Sequence, residues 1–297
     1  MARVLITGAS GFIGCALVAA LRADGIAVRG AYRGAAPADI DAAPVGALGR
    51  ETDWRAALED VDTVVHLASP AHARFDEPAL REAIVDGTSA LVDQAQKAGV
   101  KRFIQISSIK AIAVRTEGTQ AVREGQAPEP ADAYGRAKLA AEAIALAHAE
   151  LNPIVLRPPL VHGPEAKANF ALLLRLAASP TPLPFAHVRN RRSVLALSSF
   201  VDAVRTVVRR PEGPNGVFHL ADQPALSTAE MIAALRRGLG RPPGLFRAPV
   251  LAALAPAVLR ESLAVDDSAF RAAYGEIGAQ DSAALLSETA RAWMARA

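Results

Sequence analysis

The 297-residue chain contains one cysteine, Cys15. No disulfide can close within it, which excludes a disulfide-stapled scaffold and suits a reducing, cytoplasmic setting. Cys15 follows a glycine in an apolar stretch and is expected to pack. Aromatic residues are scarce at 5% and follow no stacking pattern, so single-strand nucleic-acid binding has no support. Net charge is only +3. The pI of 9.3 therefore reflects a small arginine excess and not a basic nucleic-acid surface. Long apolar runs are lacking too. The longest, APVLAALAPAVL at 248–259, is too short to span a bilayer and is broken by Pro256. A core or interface helix is expected there, with transient membrane contact left open. The opening MARVLITG enters a strand at once and leaves no room for a signal peptide. His66, His72, His148, His162, His187 and His219 show no metal-ligand spacing, so no metal is expected. No Walker loop, nucleophile elbow or thiol–histidine arrangement is visible.

What is present is a large apolar fraction, 51% against 21% charged, enough for a sizeable core. Apolar runs of strand length alternate with stretches of helical spacing. Strands are expected at 3–7, 26–33, 62–68, 101–108 and 153–158, and helices at 12–25, 53–60, 81–99 and 133–150. This alternation implies right-handed crossovers and a parallel sheet. From Pro158 prolines cluster and the rhythm breaks. Residues 193–209 read as a strand and helix returning to the main sheet, and NGVFHLA (215–221) as a further strand. Helices near 227–238, 249–259, 266–274 and 281–296 suggest a second lobe. The fold class is α/β: a Rossmann doubly wound parallel sheet with a smaller, mostly helical C-terminal substrate lobe. The division places 1–161 plus 190–222 in the dinucleotide-binding domain and 162–189 plus 223–297 in the lobe.

TGASGFIG (7–14) joins the first strand to the first helix. Gly8 permits the tight turn, Gly11 lets backbone approach a pyrophosphate, and Gly14 lets the helix pack close. The helix N-terminus offers free N–H groups and partial positive charge to phosphates. The cofactor-binding set expected around it is Gly8, Gly11, Phe12, Ile13, Gly14, Tyr32, Arg33, Leu67 and Ala68, with Tyr134 and Lys138. An acid at the end of the second strand would bond the ribose 2′-hydroxyl of NAD. GAYRG has none, and Arg33 can accept a 2′-phosphate. The cofactor is therefore NAD(P), leaning to NADP.

Tyr134 and Lys138 are one helical turn apart in AYGRAK, and Ser108 ends the strand RFIQIS. Parallel sheets place ligands at the carboxyl ends of strands, so Ser108 borders the same crevice as the glycines. A free phenol has a pKa of about 10, too high for a base near neutrality. A lysine charge at about 4 Å, at an effective dielectric of about 20, contributes roughly 4 kcal/mol. That would lower the phenol by up to about 3 pKa units. Ser108, Tyr134 and Lys138 thus form a candidate proton-transfer set for hydride chemistry.

Together with DTVVHLA, LRPPLVHGP, NRRSVLALSSFVDA and RESLAVDD, these motifs resemble the extended short-chain dehydrogenase/reductase family, in its NAD-dependent epimerase/dehydratase branch. The resemblance covers nearly the whole chain and is finest to UDP-glucose 4-epimerase-like and nucleotide-sugar 4-ketoreductase members. It implies Ser108, Tyr134 and Lys138 as the catalytic triad. It implies Asn169, Arg192 and Arg260 as contacts of a nucleotide diphosphate, a role suited to bidentate arginine. It also implies a homodimer through the helices at 81–98 and 133–150. The chain departs from the family pattern at Ala47-Leu48, Ile84 and His162, and in the missing acid beside Tyr32. Those departures suit a reductase that exchanges NADPH. The 113–132 loop, with Glu117 and Glu124, is long enough to act as a substrate lid. A reductase of a small or sterol-like carbonyl, and a non-catalytic dinucleotide sensor, are the competing readings.

Overall fold

The computed structural model describes residues 3–34, 36–38, 40–70, 76–117, 120–166, 168–278 and 281–296. In chain order the strands are β1 (Arg3–Thr7), β2 (Ala27–Tyr32), β3 (Asp41–Pro44), β4 (Thr63–His66), β5 (Arg102–Ile106), β6 (Ala121–Val122), β7 (Ile154–Arg157), β8 (Leu160–His162), β9 (Val194–Ala196), β10 (Gly216–His219) and β11 (Ala264–Val265). The helices are α1 (Phe12–Ala23), α2 (Glu77–Leu80), α3 (Gly87–Lys97), α4 (Ala133–Ala147), α5 (Ala168–Ala178), α6 (Leu197–Val208), α7 (Thr228–Gly238), α8 (Pro249–Ala253), α9 (Ser268–Tyr274) and α10 (Ser282–Met294). A π-helical segment, Arg81–Asp86, links α2 to α3.

Seven strands form one sheet in the order β10-β7-β5-β4-β1-β2-β3. Every pairing in it is parallel. This is the doubly wound order, whose direction reverses between β1 and β4 and opens a ligand crevice there. The strands are apolar on both faces, as buried parallel strands are. Val4 and Ile6 point into the core shared with α1, α6 and α9. Leu5, between them, points into the opposite core, with Trp54, Leu91 and Phe103. A third core, from Phe170 through Leu235 to Leu286 and Ala290, holds α5, α7 and α10 together.

Four local expectations are corrected. Residues 53–60 form turns and not a helix. Trp54 is fully buried, and the Asp53 carboxylate is spent on the Arg55 amide and guanidinium. The strand near 194–196 does not return to the main sheet; β9 pairs with β8 in a separate two-stranded sheet. The expected helix at 249–259 is cut short, because Pro256 confines α8 to five residues and a 3-10 turn follows. Cys15 is exposed and does not pack inward. β3 has no counterpart in the sequence reading, since DAAP carries no strand-like run.

Candidate active site

The glycine loop stands at the reversal point of the sheet. Gly8 has φ of +68°, a conformation that favours glycine, and its amide-bearing turn packs against Ala68. A Cβ on Gly14 would overlap the carbonyl of Gly8, so α1 approaches β1 only because position 14 is glycine. The N-cap of α1, Gly11, has no side chain to satisfy the helix's first amides. This concave, donor-lined cradle fits a pyrophosphate. Thr7 and Leu67–Ala68 form its floor, with the Thr7 hydroxyl accepting from the Ala68 amide at 3.0 Å. Beneath it His66 is buried between Thr7 (2.7 Å) and Thr88 (3.2 Å). Burial pulls its pKa down to about 3, with the Lys138 charge acting the same way, so it stays neutral and structural. Phe12 and Ile13 are half-buried at the start of α1. Tyr32 is buried at the end of β2, and Arg33 beside it is exposed.

Ser108 follows β5 and begins a 3-10 turn, its Oγ accepting from the Lys110 amide at 3.3 Å. α4 starts immediately against this turn. Asp132 caps α4 through the Gly135 amide (2.7 Å) and takes an ion pair from Lys110 Nζ (2.7 Å). A Cβ on residue 135 would collide with the Lys110 carbonyl. Glycine after Tyr134 is therefore what lets the tyrosine and serine elements meet. Lys138 is buried and donates to the Ile106 carbonyl at 3.0 Å. Its Nζ lies 5.8 Å from the Tyr134 ring centroid, and Lys110 Nζ lies 5.9 Å from the same ring.

The electrostatics differ from the sequence expectation. Burial pushes the Tyr134 phenol up to about 12; the Ser69 hydroxyl eases this and Asp132 adds to it. Ser69 Oγ makes no hydrogen bond among the described residues, so burial dominates at this phenol. Burial lowers Lys138 to about 8, against the pull of Glu142. Desolvation thus outweighs the lysine's attraction for a phenolate in the free protein.

Under Lys138 lies a polar layer that the sequence reading missed. Glu142, one turn further along α4, is buried and paired with buried Arg157 through Nε (3.0 Å) and Nη2 (2.6 Å). Ser107 donates to the same carboxylate. The only sequence signal was a carboxylate four residues after Lys138. Lys110 was given no role of its own, because a single 3-10 turn has no periodicity that would aim it at Tyr134.

Arg192 and Arg260 come together at one segment: Arg192 Nη1 donates to the carbonyl of Glu261 at 2.9 Å, next to exposed Arg260. Burial lowers the Arg192 pKa, with Glu261 opposing. Asn169 lies in the first turn of α5, and its side chain falls outside the described residues. The cluster of Ile109, Ile112, Val122, Leu263 and Val265 joins the Ser108 turn to this arginine segment. Residues 116 and 121–122 pair with 262 and 264–265, and Glu124 accepts from the His219 amide at 2.9 Å. The described part of the 113–132 loop is thereby tied to the rest of the fold. Among the described residues no group of three His, Cys, Asp or Glu side chains could hold a metal.

The seven-stranded parallel order, with a glycine turn at its reversal point, is that of the Rossmann-like α/β class. Residues 4–221 match the NAD dependent epimerase/dehydratase family, and the chain belongs to it. It is 38% identical over 264 residues to a UDP-glucose 4-epimerase of Vibrio cholerae, covering 83% of this chain and 79% of the relative. It is 31% identical over 273 residues to a 3-diazoavenalumate denitrifying reductase of a Streptomyces species, covering 86% and 87%. Among solved structures, MoeE5 in complex with UDP-glucose and NAD superposes with a TM-score of 0.80 at 25% identity, covering 99% of each chain.

Proposed function

We propose that this enzyme is an NAD(P)-dependent epimerase acting at a sugar carbon of a UDP-sugar, with C4 as the reacting position. One observation carries the reading. Lys138 Nζ stands 5.8 Å from the Tyr134 ring, on a helix that packs through Gly135 on the turn begun by Ser108, which supports a shared proton-transfer set of Ser108, Tyr134 and Lys138. The identity to the Vibrio cholerae 4-epimerase and the likeness to MoeE5 with bound UDP-glucose support the substrate class.

Gly8, Gly11 and Gly14 would hold the pyrophosphate, and Tyr32, Arg33, Leu67 and Ala68 the adenosine side. When bound, the nicotinamide supplies hydride acceptance and return. Tyr134 takes the proton from the sugar hydroxyl oxygen and gives it back. Ser108 holds that oxygen in line through its hydroxyl. Lys138, pinned to Ile106, supplies positive charge that favours the phenolate. Arg192 and Arg260 grip the diphosphate, a role an uncharged sterol-like substrate would not need. We retain the homodimer through α3 and α4 as part of this proposal.

A second reading, an NADPH-exchanging 4-ketoreductase, is favoured by the lack of a carboxylate at Tyr32–Arg33. One experiment separates the two. Purified enzyme is mixed with UDP-glucose and NAD, and the sugar is followed by NMR. Epimer formation without net NADH supports the first reading. Inertness with UDP-sugars, alongside NADPH oxidation by a 4-keto sugar nucleotide, supports the second. Arg33→Asp is expected to move preference from NADP toward NAD; an unchanged ratio removes Arg33 from cofactor choice.

A further inference from the structure

The segment after α7 is built the wrong way round for a soluble surface. In α8 the small residue Ala252 is buried at 2% exposure. The large ones face out: Val250 is 77% exposed and Leu251 52%, and Leu254, just past the helix, 80%. Phe246 and Val258 extend this apolar face, at 41% and 39%. Single exposed apolar residues are ordinary, but a run of large ones turned outward marks a surface that something else covers.

Charge identifies the occupant. Between Glu230 and Glu261 there is no acidic residue, while Arg236, Arg237, Arg241, Arg247 and Arg260 all fall in that interval. Arg236 is buried and spent on backbone carbonyls of Ala177, Ser179 and Thr181. The other four are exposed, and of these Arg237, Arg241 and Arg247 have no role at the substrate site. None forms an ion pair with a carboxylate among the described residues; Arg241 and Arg260 bond only the carbonyls of Ala178 and Ala255. An apolar tip preceded by Arg237, Arg241 and Arg247, none of them ion-paired among the described residues, suits the interface of an anionic bilayer, where acyl chains take the leucines and headgroup phosphates take the guanidiniums. A second copy of the chain fits less well, because a two-fold contact would set these arginines against each other. The segment cannot cross a membrane: no helix among the described residues is long and apolar enough.

We propose that residues 246–258 dock this protein on an anionic lipid surface, with Val250, Leu251 and Leu254 entering the headgroup–acyl boundary. The proposal stands independently of which sugar the enzyme takes.

The test is co-sedimentation of the full chain with large vesicles of phosphatidylcholine alone, or of phosphatidylcholine and phosphatidylglycerol in equal parts. The bound fraction is expected to be several-fold higher on the anionic vesicles and to fall with added salt. The double variant Leu251→Ser/Leu254→Ser is expected to weaken binding by about tenfold or more, with thermal unfolding and NAD binding unchanged. Wild-type protein that stays in the supernatant with anionic vesicles at low salt overturns the proposal. So does equal sedimentation of the double variant. Sedimentation velocity without lipid supplies the third arm: wild-type self-association that the double variant abolishes assigns the face to a second copy, and also overturns it.

Discussion

Lys138 donates to the carbonyl oxygen of Ile106 at 3.0 Å, and its Nζ stands 5.8 Å from the centre of the Tyr134 ring. The cation is thus anchored to the strand that leads to Ser108, at a fixed distance from the phenol it is proposed to serve. In the free protein burial dominates, and the phenol is held near 12. Ionisation followed at the tyrosinate absorbance, as wild type minus Tyr134→Phe, is expected to show this phenol titrating well above an ordinary tyrosine. Adding NAD is expected to lower the midpoint. A midpoint that NAD leaves unchanged removes the proposed activation.

Tyr134→Phe keeps the ring and removes only the proton. Turnover is expected to fall by about 10²–10⁴-fold, the usual share of a general acid–base group. NAD affinity by fluorescence titration is expected to stay within a few-fold. Near-normal turnover would remove Tyr134 from the chemistry.

Glu142 and Arg157 form a buried bidentate pair under the site. Glu142→Gln leaves the Arg157 charge uncompensated and is expected to cost about 3–5 kcal/mol of stability. Replacing both by apolar residues of similar volume is expected to cost less. Urea unfolding of the two variants checks this, and equal losses would show that the pair is not what matters.

Asp222 is buried, and burial raises its carboxyl to about 6, against the opposing hydrogen bond from the Ala196 amide. One of its oxygens has no partner. Its ordinary value is 3.8, so from there to about 6 the folded state binds the proton more tightly than the unfolded chain. Stability therefore falls as pH rises through that window, and above it the whole cost remains, up to about 3 kcal/mol. Asp222→Asn is expected to raise the unfolding midpoint at neutral pH and to have little effect near pH 4. A variant less stable at neutral pH would contradict the assignment.

Much of this protein was legible in its residues. The alternation of VLI, TVVH, FIQI and IVLR with helical spacing dictates a buried parallel sheet, because such strands must hide both faces. The glycines at 8 and 14 dictate a cradle, because the chain turns through positive φ at 8 and α1 closes on β1 at 14. Tyr134 and Lys138 share a helix face by periodicity alone. Tertiary structure decided what periodicity cannot carry. It set Lys110 and Ser69 beside the phenol, placed the Glu142–Arg157 pair beneath Lys138, and brought Arg192 to the segment that holds Arg260. It also decided the ionisation balance, since desolvation depends on what surrounds a group in space and not on its neighbours in sequence. The outward Leu251 and Leu254, in and just past α8, belong to the same class: composition marks them as apolar, and only packing shows that the core took Ala252 instead.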